Sequence, residues 1–208
     1  MIKRIISVIL ITIFVNAIPA FSKNTNSSFK SVTVGGVIVK VITTKPSNIK
    51  ESNTLKGYTS GINASYFNVN TRKTIKYGDY RRPFIVFKKD KTILITDDKK
   101  DVLEGDSPVS AGSWLVKDSV QYSTQDKFSK QFKNARVPRT CFGMDKEGNV
   151  LLVTISNANL TKASSIMKKL GCIRSINMDG GSSSTLKYES KMRFGGGRRV
   201  ANYIVGIS

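Results

Sequence analysis

The chain has 208 residues, with 34 Lys and Arg against 14 Asp and Glu for a formal charge of +20, two cysteines and no histidine. Without an imidazole, Ser-His-Asp and Cys-His nucleophile systems and His-ligated zinc or iron centres are excluded. Hydrophobic residues make up 39% of the chain, enough for one packed core, and the length fits a single domain better than two.

Residues 1–22 read as a secretory signal peptide. Lys3 and Arg4 form a basic start, Ile5 to Val15 an apolar run broken by Ser7 and Thr12, and Ala20-Phe21-Ser22 a small-residue cleavage site. The alternative is a membrane anchor, but the run is shorter than the roughly 20 residues a spanning helix needs. No second such run follows, so residues 23–208 are expected to form one exported domain, secreted or periplasmic, with no integral membrane segment. Its lysines are scattered and no aromatic RNA-binding motif accompanies them, which argues against nucleic acid as the partner. Outside the cytoplasm the abundant polyanions are phosphorylated glycans, envelope phosphates and lipid head groups.

Strand patterns dominate the rest of the chain. Residues 32–43 are β-branched and interrupted by Gly35-Gly36, a bulge or turn between two strands. Residues 46–56 are polar and read as loop, and 58–67 returns to strand character around Asn63. Residues 84–88 and 92–96 predict a hairpin, 108–122 a strand pair turning near Lys117-Asp118, and 139–145 with 150–155 the clearest hairpin, closed by Lys146 to Asn149. One helix is predicted after Asn159-Leu160-Thr161, where Ala163, Ile166, Met167 and Leu170 share a face and Gly171 supplies the left-handed cap. A strand at 173–178 then delivers Asp179-Gly180-Gly181, and 199–207 closes the chain as a strand.

Four stretches carry the candidate chemistry. In 176–186, INMDGGSSSTL, a carboxylate at a strand end stands beside glycines whose amides can approach an anion, with Ser182 and Ser183 as hydroxyl donors. An Asp-Gly turn held by its own side chain is the plainer alternative. In RVPRTCFG, Arg139 begins a strand, and in GINASYFN, Asn63 stands where an apolar strand meets small residues. In RFGGGRRVAN, three glycines separate Arg193 from Arg198 and Arg199, a loop suited to phosphate. No carboxylate cluster with cation-ligand spacing is visible, so neither a metal nor another cofactor is predicted. Cys141 and Cys172 read as two small buried thiols, although export would permit a bridge.

The order INASYF, AGSWLVKD, PRTCFGMDKEGNVLLVTI, LGCIRSINMDGGSSSTL and RRVANYIVGI resembles the phosphodiester glycosidase family over roughly Ser31 to Ser208. Ala64-Ser65 replace a glycine pair of the family pattern, Ser182 a third glycine, and Arg199 a frequent proline. Ser182 therefore has to sit outside the positive-φ region. The resemblance implies an α/β (α+β) fold with a mixed, strongly twisted β-sheet, few helices and a single domain. It also implies a hydrolase that cleaves a sugar-1-phosphodiester in a phosphorylated glycan, with a non-catalytic envelope protein binding such glycans as the competing class. Asp179, Arg139 and Asn63 are then the expected catalytic residues, and Gly180, Gly181, Ser182, Ser183, Arg198, Arg199 and Asn202 the expected substrate-binding ones. Oligomeric state is not legible in the sequence.

Overall fold

The structure is a computed structural model that describes residues 27–78, 82–122 and 129–207. The signal-peptide reading of residues 1–22 lies outside the described residues. Strands β1 (Ser27–Val34) and β2 (Val37–Thr44) form a hairpin whose turn, Gly35-Gly36, has φ of +56° and +76°. There follow β3 (Ile49–Ser52), β4 (Gly61–Asn63), β5 (Phe84–Phe87), β6 (Ile93–Thr96), β7 (Ser107–Ser110), β8 (Trp114–Lys117), β9 (Val120–Gln121) and the short helix α1 (Lys130–Asn134). The chain continues through β10 (Val137–Asp145), β11 (Val150–Ala158), α2 (Leu160–Lys169), β12 (Cys172–Asn177), β13 (Thr185–Tyr188), β14 (Lys191–Gly195) and β15 (Tyr203–Gly206).

Among the described residues three sheets form: β1-β2-β11-β10-β12-β8-β9, β14-β13-β4-β15-β3 and β6-β5-β7. The α+β class, the single domain and the scarcity of helices agree with the expectation, whereas the ladders among the described residues are antiparallel and not mixed. The large sheet is covered on both faces. Ile42, Phe142, Leu152 and Ile176 on one face pack with Ile62, Leu186 and Ile204 of the second sheet and Ile85 and Ile95 of the third. Val39, Cys141, Val153 and Ile155 on the other face pack with Leu160, Ala163, Ile166 and Met167 of α2. This double cover explains why β11 reads VLLVTI instead of alternating apolar and polar residues. Each fully buried Leu or Ile contributes about 1.5–3 kcal/mol. Helix α2 starts at Asn159, whose side chain accepts from Lys162 N at 2.9 Å, and ends before Gly171 at φ +90°.

The differences from the sequence reading are local. The polar stretch 46–56 contains β3, an edge strand of the second sheet, and only 61–63 of the stretch 58–67 is strand. The segment 108–122 contains the expected pair, β8 and β9 turning through Asp118-Ser119, but it begins in β7, which belongs to the third sheet. The β13–β14 hairpin turns through Glu189-Ser190, with φ of +50° and +61°, and carries no Asn-Gly or Asp-Gly signal. Both cysteines are buried free thiols. Among the described residues no helix is long and apolar enough to cross a membrane.

Candidate active site

Strand β12 lies inside the large sheet between β10 and β8, and its C-terminal end delivers Asp179. The Asp179 N–H donates to Ala64 O at 3.0 Å, and its carbonyl accepts from Asn63 Nδ2 at 2.7 Å. Asn63 Oδ1 in turn accepts from Thr140 Oγ1 and from Thr185 N, both at 2.8 Å. One fully buried amide therefore ties β4, β10 and the start of β13 to the end of β12. The N–H and carbonyl bonds of Asp179 itself anchor its main chain.

The following loop closes in a single 3-10 turn over Gly181–Ser183. Gly181 takes φ of +61°, a conformation costly for any residue with a Cβ, whereas Ser182 does not. The serine in place of the family's glycine is thus accommodated without backbone strain. Burial pushes the Asp179 carboxyl above its ordinary pKa, while the Ser183 hydroxyl, the Gly180 amide and the charge of Arg198 pull it back. Arg198 donates from Nη1 to Ser182 Oγ at 3.0 Å and lies 5.7 Å from the Phe67 ring centroid. Arg72 Nη1 donates to Arg199 O at 2.7 Å, which ties the loop around residue 72 to the C-terminal glycine loop.

Arg139 is only 1% exposed. Its Nε donates to Ala158 O at 2.9 Å, and Nη2 to Ala135 O at 2.7 Å and Phe132 O at 3.3 Å, with the Phe132 ring 5.2 Å away. The guanidinium thereby clamps the end of β11 to α1, and among the described residues Nη1 has no acceptor. Burial draws its pKa below the ordinary arginine value. Tyr66 stands in the electrostatic field of both Arg139 and Asp179, and its hydroxyl accepts from Asn177 Nδ2 at 2.6 Å.

The loop after β12 brings Asp179, Gly180, Gly181, Ser182 and Ser183 together, with Arg198 reaching Ser182 from the glycine loop. Arg139 lies beneath, mostly engaged with carbonyls. Asn63 and Asn202 are internal struts in this geometry: Asn202 Oδ1 accepts from Ser65 N at 2.9 Å, and its Nδ2 donates to Ser65 Oγ and Glu51 Oε1. The Arg199 side chain is exposed at the rim. Tyr66 and Asn177 were not singled out from the sequence; the available signal was a tyrosine directly after the small Ala64-Ser65 pair. No group of three or more His, Cys, Asp or Glu side chains gathers among the described residues.

The arrangement combines a partly desolvated carboxylate with an arginine, hydroxyls and backbone amides, a set suited to binding an anion beside a proton acceptor. No curated protein matches the sequence. Among solved structures, the catalytic domain of zebrafish N-acetylglucosamine-1-phosphodiester alpha-N-acetylglucosaminidase, auto-inhibited by its pro-peptide, is similar over 90% of this chain and 85% of that one, with a TM-score of 0.69 and 15% identity. A hypothetical protein from Synechocystis is similar over 85% of this chain and 61% of that one (TM-score 0.61, 15% identity). A candidate exported protein from Burkholderia pseudomallei K96243 is similar over 83% and 74% (TM-score 0.58, 13% identity). At these identities the likeness shows a common fold. The phosphodiester glycosidase family model matches residues 32–206, from within β1 to the end of β15 and through every stretch that builds the Asp179 loop, and the chain therefore belongs to the phosphodiester glycosidase family.

Proposed function

We propose that the protein is an exported hydrolase that cleaves the bond between an anomeric carbon and phosphate in a phosphorylated glycan. The observation that carries this reading is the pairing of Asp179, raised above its ordinary pKa by burial, with Arg198 held on Ser182 in the adjoining loop. Membership of the family supports the bond class, and the similarity to a candidate exported protein is compatible with export.

The chemistry fits the residues. A phosphate monoester leaves as a stable anion, so cleavage at the anomeric carbon needs less proton donation than an ordinary glycoside does. Arg198, Ser182 and the Gly181 amide would hold the phosphate, with Arg139 contributing through Nη1, while the Gly180 amide is engaged by the Asp179 carboxylate. Asp179 would take the proton of an attacking water as its oxygen bonds to the anomeric carbon. In the same step the bond from that carbon to the phosphate oxygen breaks, and its electron pair leaves with the phosphate. Burial raises the Asp179 pKa and so makes it a stronger base than a solvated aspartate. Asn63 and Asn202 act on this site by holding the strands that carry it.

p-Nitrophenyl phosphodiesters of N-acetylglucosamine, glucose and galactose test the proposal. Cleavage at the anomeric carbon yields the free sugar and p-nitrophenyl phosphate, which turns yellow only after a phosphatase is added. Immediate yellow colour would mean cleavage at phosphorus, and binding without either product would favour a non-catalytic glycan-binding protein.

A further inference from the structure

Beside Asp179 lies a neutral polar pair, Tyr66 and Asn177, that the reaction above does not use. The Tyr66 ring fills the space over Gly112, where an added Cβ would come within 2.8 Å of Cε2, and Phe132 of α1 approaches it at 6.3 Å with a 59° tilt. Asn177 Nδ2 spends its two hydrogens on Tyr66 Oη at 2.6 Å and Met178 O at 2.8 Å. Oη therefore accepts a fixed bond, and its own hydrogen is left to give. No group among the described residues accepts that hydrogen, and the Tyr66 side chain as a whole is half-buried, which leaves the hydrogen for a ligand that enters beside the ring.

The pair carries a stability cost. Asn177 is fully buried and its Oδ1 has no partner, an arrangement that an apolar side chain of similar size would avoid. Such a cost is ordinary where an amide sets the direction of a functional hydroxyl. The groups facing the phenol are Asp179, Arg139, Arg82 and Cys141; burial and the Asp179 charge hold it above its ordinary pKa, so it is a permanent donor and not a base.

Arg198 with Ser182 suits an anion, whereas an uncharged donor on an aromatic ring suits a sugar hydroxyl. Building on the hydrolase reading, we propose that Tyr66, oriented by Asn177, is the sugar-binding donor of this site and bonds to one ring hydroxyl of the glycosyl group.

The test compares wild type with Tyr66→Phe, as the full mature chain, on the p-nitrophenyl phosphodiesters and their 3-, 4- and 6-deoxy analogues. Calorimetric binding of the matching non-hydrolysable C-glycosyl phosphonate esters runs in parallel. Wild type should lose about 3- to 12-fold in kcat/KM on one deoxy analogue; Tyr66→Phe should lose that factor on the parent and nothing further on the same analogue. An unaffected Tyr66→Phe, or an equal loss on every analogue, overturns the proposal. If turnover is absent but phosphonate binding shows the Tyr66-dependent pattern, the hydrolase reading fails and the sugar contact stands. Turnover with a flat Tyr66→Phe profile is the reverse, and absence of both turnover and binding rejects both.

Discussion

Asp179→Asn separates the site's chemistry from its architecture. The main chain at Asp179 is anchored through its N–H to Ala64 O at 3.0 Å and through its carbonyl to Asn63 Nδ2 at 2.7 Å, and the bonds that its carboxylate accepts from the Ser183 hydroxyl and the Gly180 amide can be accepted by an asparagine oxygen. Asparagine keeps the shape and removes charge and basicity, so kcat should fall on the order of 100-fold or more with little change in KM. Stability should move the other way. A carboxyl whose folded pKa is raised favours the protonated state in the fold, so its contribution is complete below the unfolded pKa and is lost as pH rises through the folded one. At a pH above the raised pKa the charged carboxylate is a liability that asparagine removes, and there Tm should equal or exceed wild type. Wild-type kcat/KM should also fall as pH drops through the raised pKa, on an acid limb displaced upward from that of an ordinary aspartate and absent from the variant. Stopped assays on the p-nitrophenyl phosphodiester and thermal melts read all three. An Asp179→Asn enzyme with near wild-type turnover would refute the reasoning and leave Asp179 as a turn residue.

Other perturbations address the neighbours. Arg139→Lys cannot reproduce three bonds to the Phe132, Ala135 and Ala158 carbonyls, so it should lose about 3 kcal/mol, on the order of 10 °C in Tm, as well as activity; an unchanged melt would contradict the clamp. Arg198→Ala touches one exposed serine bond and should raise KM about tenfold while leaving Tm within a degree or two; a stable variant with unaltered KM removes Arg198 from the phosphate site. Burial raises the Cys141 thiol to about 12 and pushes Cys172 up as well, so neither should react with a thiol reagent in the native protein and both should react after denaturation without reductant. Raising ionic strength should slow capture of a polymeric phosphoglycan more than turnover of a small sugar phosphate, because exposed charges are screened beyond roughly 8 Å in physiological salt; equal sensitivity would leave the basic surface without a steering role.

The parts of the fold legible in sequence are those whose pattern is local. The β10–β11 hairpin and α2 announce themselves through a turn, a continuous apolar run and a capped helical stripe. Strand β3 is hidden because its polar residues line an exposed sheet edge, and its pairing with β15 joins segments about 150 residues apart. The grouping of Asp179 with its glycines and serines follows from adjacency in the chain. Asn63 and Asn202 look like ligand-binding amides in sequence, yet the contacts that occupy them come from strands and loops distant in the chain. Tyr66 is unreadable for the same reason: its hydroxyl is defined by Asn177, and its ring by Gly112 and Phe132, all distant in sequence.

The most direct test of the central claim is to run the reaction in water enriched in oxygen-18 and locate the label by mass spectrometry. Attack at the anomeric carbon beside Asp179 predicts label in the released sugar and none in the phosphate monoester. Label in the phosphate would contradict the account, since it would place the attacking water on phosphorus and make the enzyme a phosphodiesterase instead of a glycosidase.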